Sequence, residues 1–392
     1  MREHLLKQEY SILDKANLNC IGMHSNIEKR TATITWITYH NFGTYLQAYA
    51  LQKVILYLGY ENHIISDRRI VDSQCEANSF RNFIAKVYHF FGGNRQMVKG
   101  RKREKASYDK FVRQYLYIDD SWLNYSDLDN KYDIYICGSD QIWTPNFRKI
   151  EEFYFGGFTS KKKIAYAPSI GQKYCSQEYV MQVKPLLEQF KYLSIREITG
   201  QKLLTAFLDK PIRLAVDPTL LLPSCEWLTL AEASMKDIRP YVLCYFLTYN
   251  ELYMDLVTKF AQMIQMPVKI FITDKRFIEH ADISLFSGPI EFLQEVKNAS
   301  YFFTDSYHGS IFAVIFEKRF WTFKRFKDGE RNNQNSRIED FFRILGLSDY
   351  FVDNIDLREI INIPPINYDK VKQVIQVERM RSMDYLKYSL KY

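Results

Sequence analysis

Residues 31–66 read TATITWITYHNFGTYLQAYALQKVILYLGYENHIIS, and this stretch decides the fold class. Residues 31–38 are rich in β-branched side chains, which favours a strand, and the turn-forming residues 40–43 follow them. Apolar side chains then recur at helical spacing over residues 45–58, and residues 63–66 resume a strand. The order strand, helix, strand predicts a βαβ unit, and such units form parallel sheets.

The same alternation continues along the chain. In the first half, further strands are predicted at residues 134–137, 163–167, 192–195 and 212–216. After an interval with no predicted strand, the alternation resumes, with strands predicted at residues 241–247, 268–272, 301–304 and 320–323 and helices between them. We therefore predict an α/β fold in which two Rossmann-like domains face each other across a cleft.

The domain limits follow from where this alternation starts, pauses and ends. A polar leader covers residues 1–30, and the first domain is expected at residues 31–225, with a basic insertion at residues 80–113. The second domain is expected at residues 226–365. Residues 366–392 predict an amphipathic helix that crosses back to brace the first domain.

Composition excludes several classes of protein. The chain has 392 residues, 47% hydrophobic and 25% charged, which excludes disorder, collagen and coiled coil. No apolar run approaches the roughly 20 residues that span a bilayer. The six cysteines lie far apart and the histidines are not paired, so neither a metal site nor a disulfide framework is predicted. We expect a cytoplasmic protein, peripheral at most on the inner face of the cell membrane.

The net charge favours anionic partners. Lys and Arg number 53 against 46 Asp and Glu, which gives a net charge of +7. The insertion at residues 80–113 accounts for this excess, and its basic side chains are interleaved with aromatic ones. Such a segment can lie on an anionic membrane surface, where each Lys or Arg contributes about 1 kcal/mol. A plain solvated insertion explains it equally well.

Ligands of open parallel sheets bind beyond the carboxyl ends of the strands, so the residues that follow each strand are candidate site residues. His40 and Asn41 follow the first strand and lead into a helix whose free N–H groups favour an anion or sugar hydroxyls. Ser139, Asp140 and Gln141 follow a later strand and can also bind sugar hydroxyls. The alternative for both groups is that the polar side chains only cap helices.

Arg196 follows the strand at residues 192–195, and its guanidinium matches a carboxylate or a phosphate in a bidentate fork. The alternative is an ion pair within the domain, to Glu197 or Asp217. Asp217 follows the strand at residues 212–216 and precedes a proline, which favours a structural role in the turn. From that position its carboxylate can still orient Arg196.

The second domain supplies His308, in the first turn of a helix that follows the strand at residues 301–304. A helix N-terminus is a place where phosphate binds, so His308 is a candidate for proton transfer, with Ser306 and Gly309 as neighbours at the phosphate. A purely structural histidine is the alternative. Three further basic side chains are candidates to neutralise a phosphate, with solvated surface as the alternative for each: Lys324, Arg325 and Arg337.

Five motifs in order resemble the polysaccharide pyruvyl transferases over residues 33–347. They are Tyr39-His-Asn-Phe-Gly43 with Leu46-Gln47-Ala48, Gly138-Ser-Asp-Gln-Ile-Trp143, Ser194-Ile-Arg-Glu197, Asp217-Pro-Thr219 and Thr304-Asp-Ser-Tyr-His-Gly309. The resemblance implies a fold like that of the GT-B glycosyltransferases. It also implies phosphoenolpyruvate as donor, a sugar of a surface polysaccharide precursor as acceptor, and a cyclic pyruvate ketal as product. Phe42 stands where other members often carry Tyr, and Thr44 where a smaller residue is common.

The hypothesis is therefore a pyruvyl transfer in which Arg196 holds the donor and His308 moves the proton. Phosphoenolpyruvate is a co-substrate and no cofactor is required; the acceptor is expected to carry a galactose-type residue, with a lipid-diphosphate-linked oligosaccharide as one form. One alternative is a GT-B glycosyltransferase that uses a nucleotide sugar. A second is a non-catalytic binder of nucleic acid or membrane through the basic insertion, although no nucleic acid partner is expected.

Overall fold

The computed structural model describes residues 29–38, 40–70, 95–145, 150–232, 239–330, 333–353 and 356–392. Most of the predicted leader and the first part of the basic insertion, residues 80–94, lie outside the described residues, as does Tyr39 of the first motif.

Seven strands of the first half, β1 to β7, are parallel: Arg30–Ile34, Glu61–Ile65, Ile118–Asp119, Ile134–Cys137, Lys162–Ala165, Leu193–Ile195 and Ile212–Leu214. Five of them form a sheet in the order β3-β2-β1-β4-β5. β6 and β7 pair with each other and continue beyond β5, where the N–H of Ala165 donates to the carbonyl of Tyr192. The strand order reverses between β1 and β4, and ligands of such sheets bind at this reversal.

Six strands of the second half, β8 to β13, form another parallel sheet: Val242–Tyr245, Val268–Phe271, Ile283–Leu285, Tyr301–Thr304, Arg319–Phe323 and Phe351–Val352. Their order is β10-β9-β8-β11-β12-β13, so the reversal falls between β8 and β11. The two sheets confirm the predicted pair of Rossmann-like units. The residue limits of the domains stay a prediction.

Helices cover the faces of both sheets. The described helices, α1 to α13, are Phe42–Tyr57, Arg95–Tyr115, Tyr125–Lys131, Gln177–Glu188, Ile198–Thr205, Pro218–Leu221, Ser224–Leu230, Glu251–Met263, Pro289–Asn298, Tyr307–Ile315, Ser336–Leu345, Leu357–Asn362 and Tyr368–Lys391. Three 3₁₀ helices join them: Glu152–Phe155, Lys275–His280 and Ser348–Tyr350.

Several predicted boundaries were wrong. β1 ends at Ile34, not at residue 38, and α1 begins at Phe42, not at residue 45. The earlier start of α1 has a local cause, since the side chain of Asn41 accepts hydrogen bonds from the N–H groups of Gly43 and Thr44. The first motif therefore lies at the start of helix α1, whereas residues 40–43 had been expected to form a turn.

One hydrophobic core runs from the first half into the second. Phe42, at the start of α1, stacks on Phe292 of α9 with ring centroids 4.6 Å apart, and it also meets Phe271 of β9 at 5.1 Å. Tyr108 of α2 stacks on the ring of Phe42, with ring centroids 5.8 Å apart. The phenylalanine at position 42 is thus buried among rings, and the two halves share packing directly behind the cleft.

The terminal helix α13 crosses from the second half to the first, as predicted. Near its start, the hydroxyl of Tyr368 donates to the carbonyl of Lys318, which precedes β12. Near its end, the hydroxyl of Tyr385 donates to the carbonyl of Ala165 in β5 at 2.8 Å. No helix among the described residues is long and apolar enough to cross a membrane.

Candidate active site

A cleft of about 240 Å³ lies where the carboxyl ends of the two sheets face each other. Its lining residues come from both halves: Trp36, Asn41, Thr44, Asp140 and Gln141 from the first, and Leu247, Ser306, Tyr307, His308, Arg325 and Arg337 from the second. The points at which the strand order reverses in the two sheets therefore border the same cleft. Its volume is close to the lower end of the range for small-molecule sites, roughly 300–1,000 Å³.

His308 lies between backbone of the first half and a carboxylate. A Cβ atom at Gly43 would lie 2.0 Å from Nδ1 of His308, so the imidazole occupies space that any larger residue at position 43 would fill. On the other side, Nε2 of His308 lies 3.3 Å from Oδ2 of Asp217. The helix that carries the imidazole is capped by Ser306, whose hydroxyl accepts from the N–H of Gly309 at 3.2 Å.

Asp217 also binds Arg196. Nη1 of Arg196 donates to Oδ2 of Asp217 at 2.6 Å, and the two side chains are 2% and 0% exposed. Oδ1 of Asp217 accepts from both the N–H and the hydroxyl of Thr219. The ion pair and the capping role, both expected as structural alternatives, are therefore present, and the same carboxylate also meets His308.

The charge of Asp217 is fixed by its neighbours. Burial alone would raise the pKa of this carboxyl, but the positive charge of His308 and then that of Arg196 outweigh burial, together with the hydrogen bonds that Asp217 accepts. They hold the pKa of Asp217 well below its usual range. Asp217 can therefore balance positive charge on the guanidinium and the imidazole at neutral pH.

Four buried amide and guanidinium nitrogen atoms beside the cleft have no hydrogen-bond partner among the described residues: Gln141 Nε2, Arg196 Nε, Arg196 Nη2 and Arg337 Nε. Nε2 of His308 is a fifth such nitrogen, although it lies 3.3 Å from Oδ2 of Asp217. A buried donor without a partner costs about 1–3 kcal/mol, so native proteins keep few of them. Donors of this kind, three of them on guanidinium groups, are typical of a site that receives an anion rich in hydrogen-bond acceptors.

The two guanidiniums lie close to the same ring. The Cζ atoms of Arg196 and Arg337 lie 4.4 and 5.6 Å from the centre of the Tyr307 ring. Burial, and then the charge of Arg196, lower the pKa of Arg337 to about 10. The cations therefore repel each other in a dry environment, and an anion bound beside them would relieve that repulsion.

The first half of the chain supplies polar side chains to its own wall of the cleft. The hydroxyl of Thr44 donates to Oδ2 of Asp140 at 2.8 Å, and Oδ1 of Asp140 lies 3.9 Å from Nη2 of Arg196. Asn41 caps α1, as the capping alternative had it, and it also lines the cleft. Trp36 adds an aromatic ring to this wall.

The cleft brings together most, but not all, of the predicted site residues. Those that line it are Asn41, Asp140, Gln141, Ser306, His308, Arg325 and Arg337. Arg196 lies directly behind this wall, in contact with Asp217.

Four predicted site residues lie elsewhere. Ser139 is fully buried and its hydroxyl donates to the carbonyl of Ala167, two residues beyond the end of β5. Gly309 packs against Thr304, where a Cβ would lie 2.6 Å from the hydroxyl oxygen. Lys324 pairs with Asp353 at 2.9 Å. His40 stacks on Tyr108 at 4.8 Å in a smaller cavity that adjoins the cleft.

Other residues of the site were not predicted. Trp36, Thr44 and Tyr307 stand inside or beside the motifs, and that proximity is the only signal in the sequence. Glu197 is another: its Oε1 accepts from the N–H groups of Ile170 and Gly171, which fixes the loop after β5. A Cβ at Gly171 would lie 2.2 Å from Gln141 Nε2, so this loop supports the donor group of Gln141.

The match to a protein family agrees with this geometry. A family model described as "Polysaccharide pyruvyl transferase" matches residues 41–325, which include every residue that lines the cleft except Trp36 and Arg337. The chain belongs to the polysaccharide pyruvyl transferase family. The resemblance of the five motifs is thereby confirmed. A comparison with curated proteins finds no match to this chain.

Several solved structures are similar to this chain at low sequence identity. A UDP-N-acetylglucosamine 2-epimerase is 11% identical with a TM-score of 0.52, and the match covers 93% of this chain and 96% of that one. The UDP-GlcNAc 2-epimerase of Methanocaldococcus jannaschii is 12% identical with a TM-score of 0.47, over 89% and 99% of the chains. An α-glucosyltransferase solved with UDP and a 13-mer DNA is 8% identical with a TM-score of 0.47, over 91% and 95%.

Proposed function

We propose that this pyruvyl transferase moves the enolpyruvyl group of phosphoenolpyruvate onto two hydroxyls of one sugar. The methylene carbon gains a proton and becomes a methyl group. One sugar hydroxyl then bonds to the central carbon and loses its proton. The second hydroxyl displaces phosphate, which leaves with the remaining proton, and a cyclic ketal results. The balance needs no redox cofactor and no metal.

The donor side of the cleft supports this reaction. The observation that carries the proposal is the set of unpartnered buried nitrogens on Gln141, Arg196 and Arg337. Phosphoenolpyruvate carries a carboxylate and a phosphate, whose oxygens are acceptors that would satisfy those donors. Arg325 lines the same space and adds a further positive charge. In this proposal Arg196 acts from behind the wall and Arg337 from within it.

His308 is proposed to move the proton. Its imidazole borders the cleft and faces Asp217 at 3.3 Å, an arrangement in which a carboxylate orients the ring. Protonated His308 delivers a proton to the methylene carbon. The resulting neutral imidazole can then accept the proton of a sugar hydroxyl.

The acceptor is proposed to bind the wall formed by the first half. Asn41, Thr44 and Asp140 offer amide, hydroxyl and carboxylate groups to sugar hydroxyls, and the ring of Trp36 offers an apolar face. The family supports a sugar of a polysaccharide precursor, and we propose a galactose-type residue. A lipid-diphosphate-linked oligosaccharide is the proposed form of the precursor.

The experiment is direct. The protein is incubated with phosphoenolpyruvate and a panel of galactosides, glucosides and mannosaminides, and products are followed by mass spectrometry and by phosphate release. We expect one acceptor to gain the mass of a pyruvate ketal with equimolar phosphate. Turnover of nucleotide sugars without any binding of phosphoenolpyruvate would overturn the proposal in favour of a glycosyltransferase.

A further inference from the structure

Helix α2 carries a strongly basic face. Lys99, Lys102, Arg103, Lys110 and Arg113 are all exposed, and at 3.6 residues per turn they fall on one side of the helix. The acidic residues of the helix, Glu104 and Asp109, are only partly exposed; Glu104 lies off this face, and Asp109 lies at its edge beside Lys102. We call these five side chains the basic face.

The opposite side of α2 is anchored in the fold. Tyr108 and Phe111 are each 1% exposed and belong to the core that joins the two halves. Nη2 of Arg101 donates to the carbonyl of Thr273, and the hydroxyl of Ser107 donates to Glu291, so the helix also binds the second half. The basic face therefore takes no part in this packing, and its charge calls for another explanation.

The helix is close to the cleft. Glu104 and Tyr108 line the smaller cavity together with His40, and this cavity shares Asn41 and Leu247 with the cleft. Since a helix with its side chains is about 10 Å across, the basic face lies one helix layer from that cavity. Whatever binds the basic face is therefore held near the proposed acceptor wall.

We infer that the basic face docks on the anionic headgroups of a phospholipid bilayer, and that this docking brings a lipid-linked acceptor to the cleft. Each Lys or Arg near an anionic surface strengthens binding by about fivefold. Val98, 46% exposed and one turn from Lys102, adds an apolar side chain at the edge of the basic face, whereas no exposed position among the described side chains of α2 carries an aromatic ring on which a base could stack. The inference that docking brings the acceptor to the cleft rests on the proposed function, whereas the inference that the basic face binds a bilayer does not.

Co-sedimentation with vesicles tests this inference. The full chain is mixed with vesicles of phosphatidylcholine alone or with phosphatidylglycerol, at low and high salt. We expect binding only to the anionic vesicles, and binding that salt weakens. The triple variant Lys99→Gln, Lys102→Gln, Lys110→Gln should lose about 100-fold in partition coefficient. The control Lys202→Gln, Lys259→Gln, Lys387→Gln removes three exposed lysines from other helices and should bind like the wild type.

The outcomes separate this inference from the proposed function. Both triple variants should keep wild-type turnover on a lipid-free acceptor, because none of the six lysines lies at the cleft. Equal partition of the wild type and the basic-face variant would overturn the inference, and so would binding to duplex DNA or RNA with no binding to vesicles. Salt-sensitive vesicle binding by a protein that does not use phosphoenolpyruvate would support the surface and reject the proposed function.

Discussion

Nε2 of His308 lies 3.3 Å from Oδ2 of Asp217, and this contact joins a helix of the second half to the end of a strand of the first. The same carboxylate oxygen accepts from Arg196 at 2.6 Å. Asp217, which was expected mainly to shape a turn, therefore contacts both Arg196 and His308, the two residues predicted to be catalytic. Because the contact crosses between the sheets, the site exists only while the two halves are packed together.

His308→Gln should reduce turnover by at least about 100-fold, because glutamine cannot deliver or accept a proton in this range of pH. The melting temperature should change by only a few degrees, since the side chain borders the cleft. The measurement is phosphate release from phosphoenolpyruvate in the presence of the acceptor. His280→Gln is the matched control, because His280 contacts Tyr249 outside the cleft, and it should keep full activity. Wild-type turnover in His308→Gln would remove the imidazole from the reaction.

Whether a site residue was predicted correctly from the sequence depended on the direction in which its side chain points. His308 and Asp140 follow strands and line the cleft, because the carboxyl ends of parallel strands meet at one edge. Ser139 follows the same strand as Asp140, yet it faces Ala167 inside the domain. Adjacent residues in a turn point in different directions, and the sequence does not reveal which one enters the cleft.

Asp217→Asn should destabilise the fold by about 3–5 kcal/mol, because it leaves the buried guanidinium of Arg196 without its counter-ion. Activity should fall as well, since His308 loses its partner. Urea unfolding followed by circular dichroism measures the free energy of unfolding. The double variant Arg196→Met, Asp217→Asn should be less destabilised than the sum of the single variants. Additive losses would show that the two side chains are not energetically coupled.

Gly43→Ala should lower activity at least tenfold while the fold stays as stable as before. The new Cβ would lie 2.0 Å from Nδ1 of His308 and must displace the imidazole, whereas alanine favours a helix by about 1 kcal/mol over glycine. Gly100→Ala is the control, because it crowds the ring of Phe286 at 2.4 Å within another helix, outside the cleft. We expect Gly100→Ala to keep its turnover; equal loss in both variants would point to general disruption of packing.

The fold itself was more predictable than the site. The central apolar strands, such as β4 and β11, were located from their composition because they are buried on both faces. The edge strands β3, β10 and β13 were missed, since they are two or three residues long and carry no periodic pattern. The start of α1 was misplaced because Asn41 caps the helix three residues earlier than the apolar spacing indicated.

Arg337→Gln should raise the KM for phosphoenolpyruvate at least tenfold, since it removes a charged donor from the cleft and a hydrogen bond to a charged group is worth about 1.5–3 kcal/mol. Lys324→Gln should leave that KM unchanged, because Lys324 pairs with Asp353 away from the cleft. The two variants remove the same charge, so the comparison isolates position. Initial rates over a range of phosphoenolpyruvate concentrations measure the effect, and a larger change in Lys324→Gln would reverse the assignment.

The stability of the protein should depend on pH through Asp305. Its carboxylate accepts from the N–H groups of Leu247 and Thr248, and burial raises the pKa of Asp305 to about 6. The ordinary pKa of an unfolded aspartate is about 3.9, so between pH 4 and 6 the folded state binds more protons than the unfolded state. Stability contributed by this group is therefore present at low pH and decreases as pH rises through this window.

Asp305→Asn should remove that dependence. The free energy of unfolding of the wild type, relative to Asp305→Asn, should fall by up to about 3 kcal/mol between pH 4 and pH 7, because asparagine does not titrate. Urea unfolding at a series of pH values gives both curves. Asp356→Asn, at an exposed aspartate, is the control and should run parallel to the wild type. The opposite slope would mean that Asp305 is held as a carboxylate, with the nearby charge of Arg325 outweighing its burial.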